Sequence, residues 1–168
     1  ISFVIPSINR PTLHRTIDSI EVWPGDEVLV EFDLPKSGMW GNPQRNKAIA
    51  RAKGDYLAFI DDDDYYVKGH RQIMENAIKE NPNKPNLFRI QYPNGMLWNQ
   101  KEVVPGNIST QMILVPNWPD MLYYWKDGRN MADFIFVDKW LWPKSEIVWR
   151  DEIICLMGHE DGKAVPHD

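Results

Sequence analysis

The chain has 168 residues, enough for one domain with a sizeable core, and its 43% hydrophobic and 26% charged residues are ordinary for a soluble globular protein. A formal net charge of −5 argues against broad binding to nucleic acid or anionic membranes, which requires a basic face. No apolar stretch approaches the roughly 18 residues of a membrane span, no signal-peptide pattern opens the chain, and the single cysteine, Cys155, excludes an intrachain disulfide, so a reducing, cytoplasmic setting is expected.

Residues 1–5 are an apolar run closed by Pro6-Ser7 and read as a first strand. Pro11 suits the first position of a helix whose apolar residues Leu13, Ile17 and Ile20 recur at helical spacing, with Pro24-Gly25 ending it. Residues 27–33 alternate around Val28, Leu29, Val30 and Phe32 and read as a second strand ending in Asp33. Asn42-Pro43 opens a second helix to about Lys53, with Ala48, Ile49 and Ala52 facing inward. Residues 56–60, behind the Gly54-Asp55 turn, form a short buried strand that delivers Asp61, Asp62, Asp63 and Asp64 in succession. A third helix runs from Gly69 to about Glu80. The order strand–helix–strand–helix–strand–helix is the pattern of a parallel sheet with crossover helices.

The second half differs. Residues 87–92 and 96–99 flank Pro93-Asn94-Gly95, a hairpin signal. Residues 112–115 read as a strand stopped by Pro116, residues 131–142 as a helix, and residues 146–149 as a late strand. No repeat or linker divides the chain. The expectation is one α/β domain spanning 1–168, with a ligand-binding half at 1–92 and a smaller mixed or antiparallel portion at 93–168.

Carboxylates as dense as Asp61 to Asp64 repel one another, and a cation, solvent or a basic ligand relieves the strain. The carboxyl ends of parallel strands open on one side of the sheet, so Ser7, Asn9 and Arg10, Asp33, and the aspartate run can line one pocket. Arg45 and Asn46 lie near the start of the second helix, where free amides and the helix dipole favour anions. An acidic cluster facing anion-binding groups suits a metal–diphosphate held between them. Of eight tryptophans, six fall in the second half; such rings stack on sugars and bases, but core packing is the better reading for any one of them. Met39-Trp40-Gly41 reads equally as a mobile loop near the ligand or a packed turn. His14 and His70 are expected at the surface, and Cys155, among Ile153, Ile154 and Leu156, as an inert core thiol.

Three segments in order, residues 3–11 (FVIPSINRP), 41–48 (GNPQRNKA) and 54–64 (GDYLAFIDDDD), resemble the family 2 glycosyltransferases and their GT-A fold. The resemblance implies Mn²⁺- or Mg²⁺-dependent transfer of a sugar from a nucleotide-sugar donor, with uridine as the expected base. It places Ser7, Asn9, Arg10 and Asp33 at the base and ribose, Asp61 against the ribose or metal, and Asp63 on the metal. Asp62, Arg45 and Asn46 complete the expected donor-binding set. Further along, residues 131–136, 147–154 and Gly158-His159 resemble the family's late helix, strand and histidine. That makes Asp133 the expected general base and His159 a metal or diphosphate contact. The family's Glu-Asp pair stands here as Ala132-Asp133, so Asp151-Glu152 and Glu160-Asp161 stay open as alternatives. An inverting single displacement would need such a base.

Rival classes fit less well. A phosphatase with an Asp-x-Asp nucleophile usually has Thr or Val where this chain has Tyr65. A calcium loop would need the Gly and distal Glu of an EF-hand. A nucleotidyltransferase would show a Gly-rich basic first loop. The non-enzymatic alternative is a cation-dependent carbohydrate-binding module using the tryptophans. The acceptor, a glycan, lipid or protein, is not readable from the chain, and neither is self-association. At this length the acceptor region is either minimal, completed by another subunit, or part of a longer parent.

Overall fold

In the computed structural model, the described residues are 1–118, 124–126, 131–140, 146–160 and 163–164. The first half follows the expected alternation: β1 (Ser2–Ser7), α1 (Leu13–Asp18), β2 (Glu27–Phe32), α2 (Asn42–Ile49), β3 (Tyr56–Phe59), β4 (Tyr65–Tyr66) and α3 (His70–Glu80). The rest comprises β5 (Asn86–Tyr92), β6 (Gly95–Leu97), a 3₁₀ turn at Thr110–Met112, β7 (Ile113–Pro116), α4 (Ala132–Trp140) and β8 (Val148–Leu156). A separate two-stranded ribbon joins β9 (His159–Glu160) to β10 (Lys163–Ala164).

The main sheet runs β2-β1-β3-β7-β5-β8-β4, with β6 hairpinned onto β5. β1 is parallel to both β2 and β3, so their carboxyl ends lie side by side. β7 then enters antiparallel between β3 and β5, and β8 returns parallel to β5. The sheet is therefore parallel across β2, β1 and β3 and mixed from β7 onward.

β1 continues to Ser7, past the proline expected to stop it, and the reason lies in hydrogen-bond direction. Val4 accepts from the Ile60 amide on the β3 side, so Pro6, two residues on, faces the same way. Pairing of β1 with β3 is over by then, at Val4 opposite Phe59, and no ladder bond is lost to the missing N–H. On the other side β1 stays paired with β2 to Ser7 opposite Phe32. The two strands beside the proline thus part at their tips and leave a cleft.

The core packs both faces of this sheet. Phe59 meets Trp125 and Phe136 edge-on at ring-centroid distances of 5.3 and 5.7 Å, while Trp125 and Phe136 stack at 4.3 Å. Such contacts add about 0.5–1.5 kcal/mol per pair beyond the area they bury. Trp98 is also buried, as expected of most of these tryptophans, and Cys155 is a fully buried thiol whose ionisation burial pushes well up.

Several boundaries and faces differ from the sequence reading. α1 ends at Asp18, with Thr16 buried and Ile17 exposed, because a helix this short presents barely one turn to the sheet. α2 stops at Ile49 rather than near Lys53, its end tightening into turn bonds from Arg51 to Ala48 and from Ala52 to Ile49. β8 is nine residues, far longer than the 146–149 segment, because β5 and β4 pair along it. His70, expected at the surface, is fully buried. Its ring stacks on Tyr66 at 4.4 Å, meets Phe3 edge-on, and its Nδ1 contacts the Val67 carbonyl at 3.0 Å. Among the described residues no helix is long and apolar enough to cross a membrane.

Gly54 precedes β3 where the chain passes hard against β1. A Cβ there would stand 2.5 Å from the Ser2 amide nitrogen and 2.6 Å from the Ile1 carbonyl carbon, both backbone atoms unable to yield cheaply. Gly54→Ala is expected to lower unfolding free energy by about 1–3 kcal/mol, read from urea denaturation.

Candidate functional site

The tips of β2, β1 and β3 enclose an open cleft of about 200 Å³. Its walls are Pro6 and Ser7 at the end of β1, Ile8 and Arg10 just beyond, Asp33 with Lys36, Gly38, Trp40 and Gly41 after β2, and Asp61 to Asp63 after β3. The topology therefore brings Ser7, Arg10, Asp33 and the aspartate run into one hollow, as the strand order implied.

The four aspartates have separate tasks. Asp62 turns back on the first loop: its Oδ2 accepts from the Ser7 hydroxyl at 2.7 Å, the Ile8 amide at 3.1 Å and, more distantly, the Arg10 amide. Its Oδ1 accepts from Arg10 Nε at 3.1 Å, and its main-chain carbonyl accepts from the Thr12 hydroxyl at 2.7 Å. Asp64 is fully buried, accepting from the Gly158 amide at 2.6 Å and from Gln111 Nε2 at 2.5 Å. Burial pushes the Asp64 carboxyl well up, and the charges of Asp61 and Asp63 push it further. Asp61 and Asp63 line the cleft. Asp61 pairs with Arg45 and accepts from Gln111 Nε2 at 3.0 Å, and Asp63 lies 3.6 Å from Arg10 Nε.

Asp33 is held as firmly. It accepts from the Ser37 amide and hydroxyl at 3.1 and 2.9 Å, and from the buried Gln44 amide at 2.9 Å. Arg45 is almost wholly buried. Besides Asp61 it donates to the Trp40 carbonyl and Asn42 Oδ1, and its guanidinium lies 4.9 Å from the Trp125 ring centre. Trp40 itself is 60% exposed and lines the cleft, so the Met39-Trp40-Gly41 segment is cleft wall rather than packed turn. Gly41 has φ +74°, and a Cβ on it would lie 2.6 Å from Pro6 Cβ, so the loops after β1 and β2 touch there.

Two expected donor contacts have other work. Asn46 Nδ2 donates to the Trp125 carbonyl at 2.9 Å and its Oδ1 accepts from the Trp125 amide at 2.7 Å, so its side chain latches the 124–126 segment and is not in the cleft wall. Asn9 is exposed with φ 62°, its amide donating to Ser7 Oγ at 2.8 Å; it too lies outside the cleft lining, shaping the turn instead.

Asp133 opens α4, half-buried, and accepts from the Thr110 hydroxyl at 2.8 Å. It stands close enough to the cleft to feel Arg45 and Asp61. Burial, helped by Asp61, raises its carboxyl above the usual range, while Arg45 and Thr110 pull it back. Asp151 and Glu152 lie on β8 in ion pairs with Arg89 and Lys101, and with Arg150, away from the cleft. His159 and Glu160 form β9, but their side chains, like Asp161, lie outside the described residues. Gln44, Thr110 and Gln111 were not singled out by the sequence reading. Gln44 lies inside the 41–48 segment without a role given to it there, no motif marks Thr110 or Gln111, and only the sheet order brings residues 110 and 111 beside 61 and 133.

For a cation, the chemistry fits a site completed by its ligand: Asp61 and Asp63 are two carboxylates on a cleft wall, and Mg²⁺-type ions take one or two carboxylates plus phosphates. Among the described residues no group of three or more His, Cys, Asp and Glu side chains is arranged to hold a metal without such help.

Comparisons place this architecture among known proteins. Residues 38–131 match the sequence profile described as glycosyl transferase family 2. An uncharacterized glycosyltransferase of Haemophilus influenzae is 27% identical, the match covering 70% of this chain and 49% of that protein, so the chain spans about half the relative's length. The crystal structure of S. aureus TarS 1-349 in complex with UDP-GlcNAc superposes with a TM-score of 0.75 at 19% identity, covering 97% of this chain and 59% of that one. A197 from STIV superposes with a TM-score of 0.54 at 18% identity over 89% of this chain and 81% of that one. The fold is the α/β GT-A arrangement expected from the sequence.

Asp62→Ala should uncouple the first loop from the β3 tip and leave buried donors unpaired. A loss of about 1–3 kcal/mol in urea unfolding is expected, and a change below about 0.5 kcal/mol would show that the loop holds itself.

Proposed function

The chain belongs to glycosyl transferase family 2, and on that premise we propose that it moves a sugar from a uridine-diphosphate donor to an acceptor hydroxyl with the help of a divalent cation. The observation that carries this reading is the convergence of Ser7, Asp33, Asp61 and Asp63 on one cleft, with Asp133 beside it. Uridine is favoured because TarS, of the same fold, was crystallised with UDP-GlcNAc.

Each part of the cleft has a task under this reading. Asp33, immobilised by Ser37 and Gln44, offers fixed acceptors to the base or ribose, and the indole of Trp40 offers a flat face at the mouth. Asp61 and Asp63 would hold Mn²⁺ or Mg²⁺, which when bound neutralises charge on the departing diphosphate. Arg10 and Arg45 hold those carboxylates in place. Asp133 takes the proton from the acceptor hydroxyl as its oxygen bonds to the anomeric carbon. The bond from that carbon to the diphosphate breaks, and the electron pair leaves with the phosphate. A single displacement of this kind inverts the anomeric centre.

A general base is most effective when its pKa approaches the working pH while it is still ionised there, and burial moves Asp133 upward toward that range. The rate should fall as pH drops through its raised pKa, so the acid limb of kcat/KM is expected above the ordinary aspartate range. Thr110→Val removes a hydrogen bond that favours the carboxylate and should move that limb further toward neutrality. Asp133→Asn is expected to lower kcat by about 100-fold or more while UDP binding persists, measured by calorimetry beside turnover. Asp63→Ala should abolish the Mn²⁺-dependent part of UDP binding. Unchanged metal-dependent binding in that variant, or product with the donor's own anomeric configuration, would count against the scheme.

A further inference from the structure

We infer that Gln111 is a positioning residue: its side-chain amide, inserted between Asp61 and Asp64, fixes the Asp61 carboxylate in the direction that meets the cation–diphosphate. The inference rests on the donor reading above and adds to it a residue from the opposite half of the chain.

Gln111 is 1% exposed, in the 3₁₀ turn that feeds β7. Its Nε2 carries two hydrogens and has two acceptors, Asp61 Oδ2 at 3.0 Å and Asp64 Oδ2 at 2.5 Å. The two carboxylate oxygens call for donors and so set the amide's NH₂ end toward them, leaving its Oε1 to accept from the Ser109 hydroxyl at 2.7 Å. Asp61 is thereby gripped at both oxygens by different elements: Arg45 of α2 takes Oδ1 and Gln111 takes Oδ2. A neutral double donor suits this position, since it satisfies two carboxyl groups three residues apart without adding a second cation to the one Arg45 already brings to Asp61. A lysine would compete with the metal, and a carboxylate would add to the repulsion. Its grip from outside the cleft matches the groups that hold metal-facing carboxylates in orientation, whose loss typically weakens metal binding by about 10–100-fold.

The test compares wild type, Gln111→Met, which keeps length but donates nothing, and Ser109→Ala, which frees the amide oxygen and also removes a hydrogen-bond partner of Tyr92, an effect the unfolding measurement registers separately. Calorimetry measures uridine alone, UDP alone, and UDP with Mn²⁺, with urea unfolding to register folding. Expected are a loss of about tenfold or more in the Mn²⁺-dependent part of UDP affinity for Gln111→Met, a smaller loss for Ser109→Ala, and uridine affinity unchanged in both. Equal Mn²⁺–UDP affinity in wild type and both variants overturns the inference and leaves the donor reading intact. Uridine affinity falling in parallel also overturns it, as a general loosening of the fold. Wild type binding neither UDP nor Mn²⁺–UDP would bring down the donor reading itself, and the inference with it. If Gln111→Met does not fold, Ser109→Ala decides in the same way.

Discussion

Four adjacent carboxylates repel one another at a strand tip unless donors surround them, and the neighbourhood of this cleft is built around that requirement. Asp62 takes the donors of the loop after β1, Asp61 those of α2 and the 3₁₀ turn, and Asp64 the same turn together with the Gly158 amide. The repulsion that would otherwise spread the tip instead draws remote parts of the chain inward. Unsatisfied buried donors and acceptors cost about 1–3 kcal/mol each, so the arrangement is either nearly complete or strongly disfavoured.

The antiparallel entry of β7 is what makes completion possible. Had the sheet continued parallel past β3, the next strand would have delivered its carboxyl end to the cleft. Because β7 runs the other way, its amino end and the preceding Ser109-Thr110-Gln111 lie beside Asp61 and Asp64. The same turn reaches α4 through Thr110 and Asp133. One short 3₁₀ segment thus joins Asp61 and Asp64 at the β3 tip to Asp133 on α4. Arg45 makes a parallel join, touching Asp61, the Trp40 carbonyl and the Trp125 ring.

The parts legible in the sequence were those with local causes. Strand, turn and aspartate run follow one another within a dozen residues, so β3 and its acidic tip could be read directly, and the parallel order of the first three strands placed Asp33 and Ser7 beside them. What failed depended on distance or on degeneracy of type. An asparagine near a helix start fits an anion site or a backbone latch equally, and only the fold shows Asn46 holding Trp125, 79 residues away. His70 looked polar because its neighbours in sequence are polar, yet Gly69 at φ 84° turns α3 so that its first residue faces Tyr66 and Phe3. Gln111 carries no signal at all, since glutamine is ordinary at a strand entrance. Aspartates could be recognised as a group, whereas the individual duties of Asp61, Asp62 and Asp64 depend on partners that no local pattern names.

The touching of Gly41 and Pro6 has a consequence for how this cleft can change. The two lips meet with no clearance, since even a methyl at position 41 would overlap the proline ring. Position 41 therefore acts as a spacer of zero thickness that sets the aperture of the mouth. Lineages or laboratory selections that enlarge residue 41 must re-hinge one lip, whereas those that keep glycine can vary the side chain at Lys36, and at Trp40 within what its φ of 57° admits, around an unchanged gap. Diversification of what enters is thus channelled into the flanking side chains, and the width of the entrance is the trait hardest to alter.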